Sequence, residues 1–113
     1  AFRSENSESG SNAFGWAAAN IQAQGTSEQV LFHELDNDND SSVCGELSLF
    51  NPSSTTYVKN WYSRVQGKKN SDTSMEVYTE GYLNTTSALT QVRFTIASGD
   101  IQTGTIRMYG VKQ

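Results

Sequence analysis

One cysteine, one proline and one histidine among 113 residues each close off a class of function. Cys44, being alone, forms no internal disulfide, so the chain is not a disulfide-stapled secreted mini-domain and suits assembly in a reducing cytoplasm. With His33 as its single histidine, it cannot carry the zinc-protease spacing of two histidines around a glutamate. One proline and nine glycines exclude collagen-like sequence. Positive charge is also scarce: eight Lys and Arg against twelve Asp and Glu leave a net charge of −4, with no basic stripe for nucleic acid. No apolar run approaches the about 20 residues a membrane-spanning helix needs. The opening "AFRSENSESGSN" lacks the apolar stretch of a signal peptide. Phosphate-cradling glycine loops, CxxC pairs and nucleophile elbows are missing too. Together these absences favour a single domain with no enzymatic role and no cofactor.

What is present is mostly strand pattern. Residues 1–13 are rich in Ser, Asn, Glu and Gly and read as a polar arm or linker that orders only against a partner. From residue 14 onward the alternation of apolar and polar residues reads as half-buried strands. "VLFHEL" (30–35) is a short β-leaning run. "VCGELSLF" (43–50) puts Val43, Gly45, Leu47 and Leu49 on one face. "YVKNWYSRV" (57–65), "SMEVYTEGYL" (74–83), "LTQVRFTIA" (89–97) and "GTIRMYGVK" (104–112) continue the theme. In the last of these, Ile106 and Met108 alternate with Thr105, Arg107, Tyr109 and Val111, which predicts a core strand burying Ile106 and Met108. "NAFGWAAANIQAQ" has helix-favouring alanines, but Gly15, Asn20 and Gly25 interrupt it, and it is assigned to strand. Polar turn segments separate the runs. The expected fold is all-β: one antiparallel β-sandwich or barrel over residues 14–113, preceded by the arm.

The densest cluster of chemically capable side chains is "HELDNDND" (33–40). Asp36, Asp38 and Asp40 alternate as an EF-hand requires, but position 6 is Ser41 and position 12 is Leu47, so that motif fails twice. A calcium loop of another type remains a weaker reading. A solvated turn is favoured, since Asp and Asn are natural turn formers, and the three carboxylates are expected to be exposed. His33 and Cys44 are the single possible catalytic pair. A reactive thiol needs an electropositive setting, and Cys44 follows an Asp-rich turn instead. Asn39 and Asn84 sit in glycosylation triplets, which carry meaning only on a secretory route.

Aromatic residues are concentrated mid-chain: Tyr57, Trp61, Tyr62, Tyr78 and Tyr82. Such rings can stack on sugars from a sandwich surface, or pack in the core and between subunits. They are more than one small sandwich readily hides, so self-association is expected.

The segments "GELSLFNPSSTTYVKNWYSRV" and "GYLNTTSALTQVRFTIASGDIQTGTIRMYGVK" resemble a widespread family of bacteriophage virion structural proteins. Gly81–Tyr82, Ser87–Ala88–Leu89, Ser98–Gly99 and the closing run from Gly104 to Val111 carry the likeness. It spans residues 45–112, with "NAFGW" (12–16) matching more loosely; the closing "SGDIQTGTIRMYGV" is its specific part. The resemblance implies a jelly-roll-like module of tail fibres, head fibres or capsid-decorating proteins, commonly homotrimeric, with no catalytic residues. It implies contact with other virion proteins and a place on the virion after assembly in the host cytoplasm. A host-receptor or surface-glycan-binding module at a fibre tip is the alternative function. Family members carry further strands ahead of the "NAFG"-like segment, so this chain is expected to be either the C-terminal part of a longer protein or a shortened form completed by its neighbours.

Overall fold

The computed structural model describes residues 1–112. Five antiparallel strands form a single sheet: β1 (Phe2–Ser7), β2 (Asn12–Trp16), β3 (Val43–Leu49), β4 (Lys59–Lys69) and β5 (Thr73–Leu83). Their spatial order is β2–β1–β5–β4–β3. The all-β class is as expected. A second sheet is not formed among the described residues; the segment from Ala17 to Ser42 covers one face instead.

The β4–β5 hairpin is the backbone of the fold, and its sequence explains why. Both strands alternate strictly: Lys59, Trp61, Ser63 and Gly67 of β4, and Thr73, Met75, Val77 and Thr79 of β5, point to the covered face and are buried. Ser71 and Asp72 make the connection with φ of +65° and +49°. Short polar side chains tolerate that left-handed region because they can bond their own backbone.

Under the covering segment lies a small core of Ala17, Met75 and Val77, with Ala1 and Phe32 packed against it. Fully burying a side chain the size of valine or methionine contributes about 1.5–3 kcal/mol, so this core is thin for a domain. Polar anchors supplement it. Buried Asn20, closing a 3-10 turn (Ala18–Asn20), donates from Nδ2 to the Val30 carbonyl at 2.8 Å and to Thr79 Oγ1 at 3.2 Å. Its Oδ1 accepts from His33 Nδ1 at 2.7 Å, since the Asn20 amide nitrogen already serves as donor. Lys59 is fully buried, and its ammonium donates to the carbonyls of Ser54 (2.6 Å), Tyr57 (2.9 Å) and Thr85 (3.3 Å). One cation thus ties the β3–β4 connection to the chain leaving β5.

The structure corrects several sequence-based expectations. The polar "arm" is a strand: β1 sits inside the sheet, paired on both sides, with Phe2 opposite both Trp16 and Tyr78. Its polar residues are tolerated because Arg3 and Glu5 pair with each other at 2.7 Å and Glu5 with Lys69 at 3.1 Å, over the covered face. The run "VLFHEL" is not a strand. Glu34 has φ +59°, which breaks an extended path, and only Leu35 bridges to Lys69. "NAFGWAAANIQAQ" is strand only as far as Trp16, after which Ala18–Asn20 turn.

The largest correction is at the C-terminus. "LTQVRFTIA" and "GTIRMYGVK" form no strands, and Ile106 and Met108 are 69% and 92% exposed. Alternation states which side chains a strand would bury once paired, but it supplies no pairing edge. Leu89 donates to the Pro52 carbonyl at 2.8 Å, and no backbone hydrogen bond from residues 90–112 is found among the described residues.

Candidate functional site

The sheet has a second face, and no element among the described residues covers it. Residues paired across the strands share a face, so the register places the side chains directly. One row reads Trp16, Phe2, Tyr78, Arg64, Glu46 from β2 to β3; the next reads Phe14, Ser4, Glu76, Gln66, Cys44. Towards the other end of the sheet, Glu80, Tyr62 and Ser48 align, followed by Tyr82 and Asn60. Phe50 continues this last row, its amide donating to the Asn60 carbonyl at 3.0 Å.

The rings on this face are ordered among themselves. Phe2 stacks on Tyr78 and lies 5.7 Å from Phe14 in a tilted contact. The Arg64 guanidinium stands over the Tyr78 ring, 5.6 Å from its centroid, and pairs with Glu76. That carboxylate holds the Arg64 pKa above its usual value. Phe50 and Tyr62 pack at 5.8 Å. Phe14, Trp16 and Tyr82 still show 76%, 74% and 61% of their surface to solvent. Arg64, Glu76 and Glu80 are interleaved with these rings, so the face offers apolar and charged groups side by side.

The aromatic residues singled out in the sequence divide accordingly. Tyr62, Tyr78 and Tyr82 lie on the open face. Trp61, one residue from Tyr62, takes the opposite face; it is 9% exposed, and its ring edge lies 3.0 Å from where a Cβ on Gly81 would stand. Trp61 is therefore a core residue. Tyr57 is exposed in the connection before β4 and belongs to neither face. Phe2, Phe14, Trp16 and Phe50 belong to the site and were not singled out. Their signal was parity: Phe14 and Trp16 are two apart in "NAFGW", but only pairing through β1 shows that they join Tyr78.

The acidic stretch is a docked loop. Lys68 reaches Asp36 at 3.0 Å, Asp38 at 3.5 Å and Asp72 at 3.3 Å; Lys69 reaches Glu34 at 3.0 Å. Hydrogen bonding from Lys68 holds the Asp36 carboxyl below the usual carboxylate range, and the Lys68 ammonium is correspondingly raised. Asp38 and Asp40 are exposed as expected; Asp36 is not, because Lys68 and Ser41 hold it against the sheet end. Among the described residues no three of His, Cys, Asp and Glu stand close enough to hold a metal ion. His33 and Cys44 are not brought together: His33 sits in the covering segment, bonded to Asn20, while Cys44 projects from β3 on the open face beside Gln66. No helix among the described residues is long and apolar enough to cross a membrane.

Comparison with family models, with curated proteins and with solved structures finds no match to this chain.

Proposed function

We propose that this protein is a non-enzymatic structural module of a bacteriophage virion, part of a tail fibre, head fibre or capsid decoration, whose work is assembly. The observation that carries the reading is the open aromatic face of Phe2, Phe14, Trp16, Tyr62, Tyr78 and Tyr82 on a small acidic sheet with a thin core. Such a domain gains more from association than from its own interior. The resemblance of residues 45–112 to phage virion proteins supplies the biological setting, with other virion proteins and further copies of the chain as partners, commonly three. The host cytoplasm is then the place of assembly and the virion the destination. No cofactor is required. Electron microscopy of an intact particle tests it: density fitting this sheet on fibre or capsid supports the proposal, and a particle lacking the chain overturns it.

A host-surface role at a fibre tip is the second reading, and the exposure of Trp16 and Tyr82 favours it. Their unstacked rings offer flat apolar faces of the kind that sugar rings cover. Glycan-array binding lost on Trp16→Ala would favour this reading over pure assembly.

A further inference from the structure

The open face and the unpaired C-terminal segment are each incomplete, and in complementary ways. The face carries rings from β1, β2, β4 and β5, and no element among the described residues lies over it. The segment from Thr90 to Lys112 is polypeptide of strand period with neither a sheet edge nor a core. Its apolar side chains are turned to water: Val92 51%, Phe94 41%, Ile106 69%, Met108 92% and Val111 90% exposed. Gly99 has φ +79°, a conformation that lets the chain reverse between the two apolar runs.

We propose that the closing run from Gly104 to Val111 of one copy lies over the aromatic face of a second copy, supplying there part of the second layer that the single sheet lacks. The inference deepens the assembly reading above and rests on it for the premise that copies of the chain meet.

Three observations select this occupant. Dimensions fit: the run from Gly104 to Val111 extends to about 26 Å, enough to cross five strands about 19 Å wide. Charge fits as well. Arg93, Arg107 and Lys112 against a single Asp100 give the segment a net charge of +2, so residues 1–83, with five basic and eleven acidic side chains, carry −6 of the chain's −4. On the open face Glu76 already pairs with Arg64 and Glu80 with the N-terminal ammonium, which leaves Glu46 to meet Arg107 or Lys112 of a neighbour. Finally, the segment is tethered away from its own open face. Arg93 and Thr95 bond Glu28 at 2.7 and 2.8 Å, and Glu28 belongs to the covering segment on the opposite side of the sheet. With Arg93 and Thr95 held there, the closing run from Gly104 to Val111 is the part of the segment left to reach a neighbour.

Two variants of the full chain test the inference by complementation. The first carries Phe14→Glu and Trp16→Glu and spoils the face; the second carries Ile106→Glu and Met108→Glu and spoils the segment. All four side chains are strongly exposed, so each variant is expected to fold. In light scattering at micromolar concentration the wild type should exceed the 12.4 kDa of one chain. Each variant alone should fall to that mass, and their equimolar mixture should recover a two-chain species with one intact junction. A monomeric wild type, variants that associate like wild type, or a mixture that stays monomeric overturns the proposal. A second measurement needs neither variant. Photo-reactive benzoylphenylalanine in place of Tyr109, in a mixture of light and heavy isotope-labelled chains, should cross-link to β1, β2 or β5 peptides of the other label. Cross-links confined to one label mean folding back within the chain, and also overturn it. A chain found in virions but monomeric in isolation defeats this inference alone; a self-associating chain absent from virions defeats the functional reading alone.

Discussion

Phe2 and Tyr78 stack with ring centroids 4.6 Å apart and only 13° between their planes. The contact joins the second residue of the chain to the middle of β5 and makes the N-terminal segment part of the sheet. Offset aromatic pairs contribute about 0.5–1.5 kcal/mol beyond the area they bury. Phe2→Ala is therefore expected to destabilise the fold by about 1–2 kcal/mol, measured by urea denaturation. Deleting residues 1–8 should abolish the cooperative transition, because β5 then becomes an uncovered edge and β2 loses its partner.

Lys59→Met should cost about 2–3 kcal/mol although methionine suits a buried position. The ammonium satisfies three carbonyls, and methionine leaves those of Ser54, Tyr57 and Thr85 without their donor. A variant with unchanged stability would mean that water reaches these carbonyls.

Burial lowers the pKa of His33 below its ordinary value of 6.5; the Glu34 charge opposes this, Arg3 and Lys69 add to it, and Glu5 opposes. Protonation thus costs more in the folded chain than in the unfolded one. The stability contributed by the neutral ring is present above about pH 6.5 and is lost as pH falls through that value towards the lower folded-state pKa. The melting temperature should drop between about pH 7.5 and pH 5, and His33→Gln should flatten that drop.

Lys68→Ala should return the Asp36 carboxyl upward towards its ordinary range, read by carbon NMR titration, because the lysine is the main cause of its depression. Millimolar calcium should leave the wild-type melting temperature unchanged, whereas a tightly held ion would raise it by mass action.

Ending the chain after Thr90 should leave a cooperatively melting monomer. It keeps the Leu89 bond to Pro52 and the Thr85 carbonyl on Lys59, and the described residues it removes are exposed in the single chain apart from half-buried Ile96. Retained self-association, measured by light scattering, would remove the C-terminal segment from the interface.

The sequence by itself determined the β class and the alternation of the two central strands. Both follow from local chemistry: alternation in "WYSRV" and "SMEVYT" decides which side chains share a face, and "NSD" tolerates the positive φ of the turn. What pairs with what was decided by the tertiary structure, because a strand's hydrogen bonds are made to residues far away in the chain. "FRSENS" reads as a polar arm until Glu5 meets Lys69 and Phe2 meets Tyr78, contacts that no local window contains. "GTIRMYGV" has the better strand pattern of the two and remains unpaired, since pattern specifies a face and cannot provide the edge beside it. The aromatic surface was only half legible for the same reason. Tyr62 and Trp61 are neighbours in sequence and lie on opposite sides of the sheet, and Phe14, Trp16 and Phe2 reach Tyr78 only through the register of three strands.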